Sequence, residues 1–260
     1  MPENSDALQP FSGEVAVITG AGQGIGFEIA RQLALQGACI MLNDLDRHLT
    51  ARAVQEIKSC GGQCAGMAGD AADLVFIQEM TAASVAQFGR LTLAVPNAGV
   101  TLFGSFLNYP AAHFQKVVDL NLKGSFFLAQ AAASQMIRQK SGGAILFMSS
   151  VTGVQAHKNL AAYGMTKAAL IMLAKSLVVE LSPYQIAVNS IAPGATRTER
   201  TLGDAAYDAV WSRITPMGRP ASVADVANAA LFLLSPFSRH ITGQNITVDG
   251  GWTAVSPEPD

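Results

Sequence analysis

The stretch that most limits how this chain can fold runs from Val15 to Gln36. Val15-Ala16-Val17-Ile18-Thr19 is a short apolar run of the kind that forms a strand buried on both faces. It passes directly into Gly20-Ala21-Gly22-Gln23-Gly24-Ile25-Gly26, and Phe27 to Gln36 then has helical spacing. A strand, a glycine loop and a helix in that order make a dinucleotide-binding arrangement. The glycines let the backbone turn tightly and approach a pyrophosphate, and the free N–H groups at the helix start face the anion.

The rest of the chain repeats the alternation. Strands are expected at Ala38–Leu42, Gln63–Met67, Leu91–Val95, Ala144–Met148, Ile186–Ile191 and Asn245–Val248. Between them, helices are expected at Arg47–Ser59, Leu74–Phe88, Ala111–Arg138 (one long helix), the segment carrying Tyr163 up to Ser182, and Ser222–Leu234 with a serine cap. Such alternation predicts an α/β fold: one doubly wound parallel sheet of about seven strands with helices on both faces. A 260-residue chain that is 50% hydrophobic can fill that core. Residues 13–260 are read as one domain behind a flexible N-terminal tail, 1–12. The unusual residues Gly20, Asp44, Asn97, Ser150 and Pro193 all fall at strand carboxyl ends, where sheets of this type bind ligands.

Charge and cysteine content exclude other classes. Lysine and arginine number 17 against 19 aspartate and glutamate, with no basic stripe, so nucleic acid is not an expected partner. The polar start lacks a signal-peptide pattern, and no apolar run was expected to reach bilayer-crossing length, which points to a cytoplasmic protein without a membrane partner. Cys39, Cys60 and Cys64 are odd in number and lack metal or redox spacing, so they are read as reduced, and no metal is expected.

Two features carry chemistry. Tyr163 and Lys167 are four residues apart, which on a helix sets both side chains on one face. An ammonium close to a phenol favours the phenolate, and a phenol so placed exchanges a proton near neutral pH. Asp44 ends the second strand about twenty residues past the glycine loop, where a carboxylate binds ribose hydroxyls and repels the extra phosphate of NADP, so NAD is the expected cofactor. Asp44 also suits a cap or turn, with Arg47 pairing it or Asp46 or lying in water. Asp70 suits either the adenine edge or a helix cap.

With these pieces in order the chain resembles the short-chain dehydrogenase/reductase family over nearly its whole length. Thr19 to Gly26 matches that family's TGxxxGxG loop, Pro96 to Gly99 its NNAG strand end, and Asn121 its helix asparagine. Ser150 stands at the family spacing before Tyr163-x-x-x-Lys167, Pro193 to Thr198 matches PGxxxT, and Ile241 to Gly251 matches the last strand and turn. Pro96 departs from the pattern, taking the place of the first asparagine. The resemblance implies a Rossmann-like, single-domain, NAD-dependent oxidoreductase. Its catalytic set would be Asn121, Ser150, Tyr163 and Lys167: Tyr163 as acid/base, Ser150 as donor to the substrate oxygen, Lys167 on the ribose, Asn121 on a relay water. Cofactor contacts would come from Gly20, Gln23, Gly24, Ile25 and Gly26, from Asp44 and Asp70, and from Asn97, Ala98 and Gly99. Tyr163, Lys167, Pro193, Gly194, Thr196 and Thr198 would complete them. Ser149 is the rival for the serine role, and strand alternation aims it at the opposite face.

Residues 195–220 fall where the family's substrate lid lies. Leu202, Tyr207, Trp211 and Met217 make an apolar wall there or pack on the core, and Arg197 and Arg200 suit an acid or sugar. His157, near the pocket mouth, is read as a surface residue, with contact to the substrate as the alternative, and His48, His113 and His240 as incidental. The expected reaction interconverts a secondary alcohol and a ketone, the substrate being a sugar, polyol or other small hydroxy compound. An NADPH-dependent 3-oxoacyl thioester reductase is the alternative, and a nucleotide sensor without turnover is a third. The helices of Tyr163 and of Phe126-Phe127-Leu128 are apolar around much of their girth, which predicts a homo-oligomer, a tetramer by the resemblance.

Overall fold

The computed structural model describes residues 9–255. Seven parallel strands form one sheet: β1 Val15–Ile18, β2 Cys39–Asp44, β3 Gln63–Ala68, β4 Leu93–Val95, β5 Gly143–Met148, β6 Ile186–Pro193 and β7 Asn245–Val248. Their spatial order is β3-β2-β1-β4-β5-β6-β7. The order reverses between β1 and β4, so the loops leaving these two strands part in opposite directions and open a crevice at the carboxyl ends. Helices α1 Gly24–Leu35, α2 Arg47–Ser59 and α8 Val223–Leu234 cover one face through Ile29, Leu33, Ile57, Val226 and Leu234. The other face is covered by α3 Leu74–Phe88, α5 Ser125–Gln139 and α6 Ala161–Leu181 through Ile77, Met80, Leu128, Met136 and Leu170. Two short helices complete the fold, α4 Ala111–Val118 beside α6 and α7 Tyr207–Ile214 in the excursion after β6.

The strands fall where apolar runs placed them, because each inner strand is buried on both faces and has no polar alternation to obscure it. Caps explain the helix starts. Asp46 accepts from His48 and Leu49 N–H at α2, and at α8 the expected serine cap, Ser222, is part of a capping box with Asp225. At α3 the cap is Asp73, not Asp70. Asp70 instead makes a tight turn, its Oδ1 accepting from Ala72 N–H at 2.8 Å.

Three expectations are corrected. The single helix read over Ala111–Arg138 is interrupted by a π turn at Asp119–Gly124, which swings Asn121 inward. Residues 1–8 of the expected tail lie outside the described residues, but Phe11, inside it, is buried among Ile40, Leu33 and neighbours, and its N–H reaches Gln36 O at 3.0 Å. Finally, α6 continued to Tyr184 is long and apolar enough, by length and composition, to cross a membrane, with mean hydropathy 1.4. Leu170 and Ala174 pack on the sheet, whereas Met165, Met172 and Val179 point away from it, so the helix is apolar on two sides. Pro96 lies just past the end of β4, where a missing N–H is tolerated, and its carbonyl accepts from Met148 N–H at 3.3 Å.

Candidate active site

The carboxyl ends of β1, β2, β4, β5 and β6 open onto one cleft of about 950 Å³. A second groove between α2 and β3 is lined by Arg47 and Lys58 and contains none of the predicted site residues.

One end of the cleft is the glycine loop. Gly20 and Gly24 hold φ of +60° and +65°, a region other residues enter only with strain. A Cβ on Gly26 would lie 2.4 Å from Asn97 Nδ2 and 2.5 Å from Gly20 O, so helix and loop touch through bare backbone. Asn97 locks this contact: its Nδ2 donates to Thr19 O at 2.9 Å and Gly20 O at 2.8 Å. Its side chain therefore shapes the loop, although Asn97, Ala98 and Gly99 all line the cleft. The start of α1 has no side-chain cap, and Gln23, Gly24, Ile25 and Gly26 border the cleft there. An uncapped helix N-terminus beside a glycine cradle fits a dinucleotide pyrophosphate. Asp44 Oδ2 accepts from Gly22 N–H at 3.1 Å and Oδ1 from Asp46 N–H at 3.1 Å. Asp44 has no ion-pair partner among the described residues, so Arg47 neutralises neither it nor Asp46. Asp70 faces the same end.

The proton-transfer candidates meet at the middle. Tyr163 and Lys167 sit one turn apart on α6, with Lys167 Nζ 5.5 Å from the centre of the Tyr163 ring. Lys167 is 3% exposed, and one of its N–H groups donates to Met148 O at 2.7 Å. The other two donors stay available. Burial pushes the ammonium below the ordinary lysine value; Tyr163 opposes that fall and the Arg200 charge adds to it. Ser150 Oγ accepts from Thr152 N–H at 3.2 Å, which leaves its own O–H to donate into the cleft. Ser149 turns the other way, as alternation requires, and donates to Lys167 O at 2.8 Å. Asn121 is fully buried in the π turn. Its Oδ1 accepts from Val100 N–H at 2.8 Å and its Nδ2 donates to Val100 O at 3.0 Å. A Cβ placed on Gly99 would lie 3.3 Å from Asn121 Oδ1 and 3.4 Å from Lys167 Nζ, so the asparagine and lysine heads flank one point.

The far wall comes from the segment after β6. Pro193, Gly194, Thr196 and Thr198 line the cleft, and Thr196 bridges to Ala221 to close the 195–220 excursion at its base. Of the four apolar residues expected as a wall, Tyr207 and Trp211 face the cleft, whereas Leu202 and Met217 point to solvent. Arg197 is consumed by Asp208 at 2.7 Å, while Arg200 borders the cleft. Trp252 was not anticipated in this wall, and His157 was expected only near its mouth. His157, expected at the surface, is partly buried with its ring 4.9 Å from Trp252. Trp252 follows the Asp249-Gly250-Gly251 turn, whose side-chain oxygens accept from Gly251 and Thr253 N–H at 2.8 Å. A tryptophan immediately after a glycine turn at the last strand's carboxyl end was the available signal.

The comparisons agree with this geometry. Residues 20–253 match the family model described as enoyl-(acyl carrier protein) reductase. The chain is 36% identical over 245 residues to L-rhamnose 1-dehydrogenase (NAD(P)(+)) of Azotobacter vinelandii, covering 92% of this chain and 96% of that one. It is 38% identical over 239 residues to the 3-oxoacyl-acyl-carrier-protein reductase FabG of Staphylococcus aureus, covering 91% and 96%. The crystal structure of a short-chain type dehydrogenase/reductase from Mycobacterium marinum superimposes with a TM-score of 0.90 at 34% identity, over 95% of this chain and 98% of that one. The chain belongs to the short-chain dehydrogenase/reductase family and is an oxidoreductase acting on CH–OH groups with NAD(P).

Proposed function

We propose that the protein interconverts a secondary alcohol and a ketone with NAD(H), the substrate being a sugar, polyol or other small hydroxy compound. The observation that carries this reading is the Lys167 ammonium, buried 5.5 Å from the Tyr163 ring on the floor of the cleft. Tyr163 removes the hydroxyl proton in oxidation and returns it in reduction. Lys167 stabilises negative charge on the phenol oxygen as that proton leaves, and its unused N–H donors suit the nicotinamide ribose. Ser150 donates to the substrate oxygen where charge develops. Asn121, next to Lys167, suits a relay water. A bound nicotinamide supplies the hydride acceptor or donor.

The cofactor choice rests on Asp44. Its carboxylate stands over Gly22 at the end of β2 with no ion-pair partner among the described residues, which favours ribose hydroxyls over a 2′-phosphate. In this reading Gln23, Ile25, Asp70, Pro193, Gly194, Thr196 and Thr198 complete the nucleotide contacts, and 195–220 acts as the substrate lid. The uncovered apolar face of α6, with Met165, Met172 and Val179, supports a homo-oligomer, a tetramer in this reading. Three free thiols suit a reducing cytoplasm.

The test is a coupled screen of secondary alcohols, polyols and hydroxy acids, following reduced nicotinamide with NAD and with NADP. Turnover with NAD that Tyr163→Phe lowers by about 100-fold or more supports the reading. Faster turnover of an acetoacetyl thioester with NADPH than of any alcohol with NAD would replace it with the thioester reductase. Light scattering on the eluting protein tests the assembly, and a monomer refutes it.

A further inference from the structure

The substrate end of the cleft contains two polar atoms that the protein itself leaves unsatisfied. His157 Nε2 and Thr152 Oγ1 are shut off from solvent and have no hydrogen-bond partner among the described residues. Both residues line the same cleft as Ser150 and Tyr163. Buried polar atoms in native proteins nearly always have partners; two of the four such orphans among the described residues belong to this one wall, and a change of side-chain rotamer that turns them into the cleft lets a ligand supply the partner. Burial holds the His157 imidazole below its ordinary value, which keeps it neutral and able to donate or accept.

The surroundings of these atoms are flat and apolar. His157 leans on Trp252 at 4.9 Å, Trp252 meets Trp211 edge to face at 5.0 Å and 89°, and Tyr207 lies 6.1 Å from Trp211. These rings come from three separate segments: the loop after β5, α7 and the C-terminal turn. The one hydroxyl among them is already committed, since Tyr207 donates to Thr196 O at 3.2 Å. Aromatic faces beside a few unpaired hydrogen-bonding atoms match a ring with C–H groups on one face and hydroxyls at its rim.

We propose that His157 and Thr152 form a second polar subsite that binds a further hydroxyl of the substrate, beyond the carbinol at Ser150 and Tyr163, while Trp252 and Trp211 pack its C–H face. The protein thereby selects a polyhydroxylated ring, a pyranose or cyclic polyol, over a monohydroxylic alcohol. This rests on the alcohol–ketone reading above.

The experiment compares cyclohexanol, trans-1,2-cyclohexanediol and a set of aldopyranoses as substrates of the full-length protein with NAD and with NADP. The proteins are the wild type, His157→Leu, Thr152→Val, the double variant and His157→Asn, with NADH binding followed by fluorescence to report an intact fold. The wild type is expected to prefer the polyhydroxylated rings over cyclohexanol by about tenfold or more in kcat/KM. The double variant is expected to lose most of that ratio through KM, and His157→Asn to restore part of it. Equal loss on all substrates, or a wild type without preference, overturns the subsite and leaves the alcohol–ketone reading standing. No turnover of any alcohol overturns both.

Discussion

Asn121→Ala separates a structural role for the π turn from a purely catalytic one. Asn121 is fully buried, and its amide holds both polar groups of the Val100 peptide, at 2.8 and 3.0 Å, with Thr166 Oγ1 at 3.4 Å. Alanine removes these partners together. Each buried group left unsatisfied costs about 1–3 kcal/mol, and Val100 is only partly buried, so the lower half of that range applies to each. With a small allowance for the lost packing, the expected destabilisation is about 2–4 kcal/mol. In a domain of this size that lowers Tm by about 5–15 °C. Urea unfolding at fixed protein concentration, followed through Trp211 and Trp252 fluorescence, measures it directly. A change below about 0.5 kcal/mol refutes the argument, because the π turn would then hold without its amide. Loss of turnover with unchanged stability would assign Asn121 to proton relay alone.

Four further outcomes are expected. Ser150→Ala lowers kcat by about 100-fold with little effect on stability, whereas Ser149→Ala removes a buried side-chain bond to Lys167 O, which keeps its helical partner, and costs about 0.5–1.5 kcal/mol in urea unfolding. Gly26→Ala forces a methyl against Gly20 O, a backbone atom that cannot yield locally, and is expected to weaken NADH binding about tenfold or more by fluorescence titration. Lys167→Met removes a charge that burial disfavours; despite the loss of the Met148 O contact, unfolding is expected to show equal or higher stability while turnover falls by about 100-fold or more. His157 in the folded protein protonates below its ordinary value of 6.5, so the unfolded chain binds more protons below that pH. Its contribution to stability is full above pH 6.5 and is lost as pH falls through the depressed folded value, so His157→Leu is expected to flatten the acid side of the urea-midpoint profile.

The parts of this structure legible in the sequence are those set by short-range rules. Strands buried on both faces read as apolar runs, the glycine loop is written in backbone freedom, and strand alternation aims Ser149 and Ser150 at opposite faces, as found with Ser149 on Lys167 O and Ser150 at the cleft. What escaped is set by contacts distant in the chain. Leu120 and Leu122 continue the helical apolar spacing, so nothing local marks the π turn; the bonds from Asn121 to Val100, 21 residues away, come with it. Asp70 and Asp73 are equally good caps by composition, and only the backbone path selects Asp73. His157 sits in a loop of polar residues and gains its environment from Trp252, almost a hundred positions later. Phe11 looked like tail because the residues around it are polar, yet one large ring is enough to tether a segment to a core.

Several features unfavourable to stability lie together in space rather than in sequence. Gly20 and Gly24 give up backbone entropy, the π turn breaks a regular helix, Lys167 keeps a charge in the interior with a carbonyl as its recorded hydrogen-bond partner, and His157 and Thr152 leave polar atoms unpaired. Elsewhere the inner strands and helix caps obey the local rules with few exceptions. A chain under no functional demand would replace such features wherever they arose, and chance would scatter the survivors over the fold. Ser84 Oγ and Arg239 Nη1 are unpaired elsewhere, but the concentration of the other features on one cleft at the carboxyl ends of five strands is a physical argument for the site that does not depend on any resemblance. It extends to His157 and Thr152 the reasoning that already applies to Lys167, since in each case the missing partner is the molecule the cleft is built to bind.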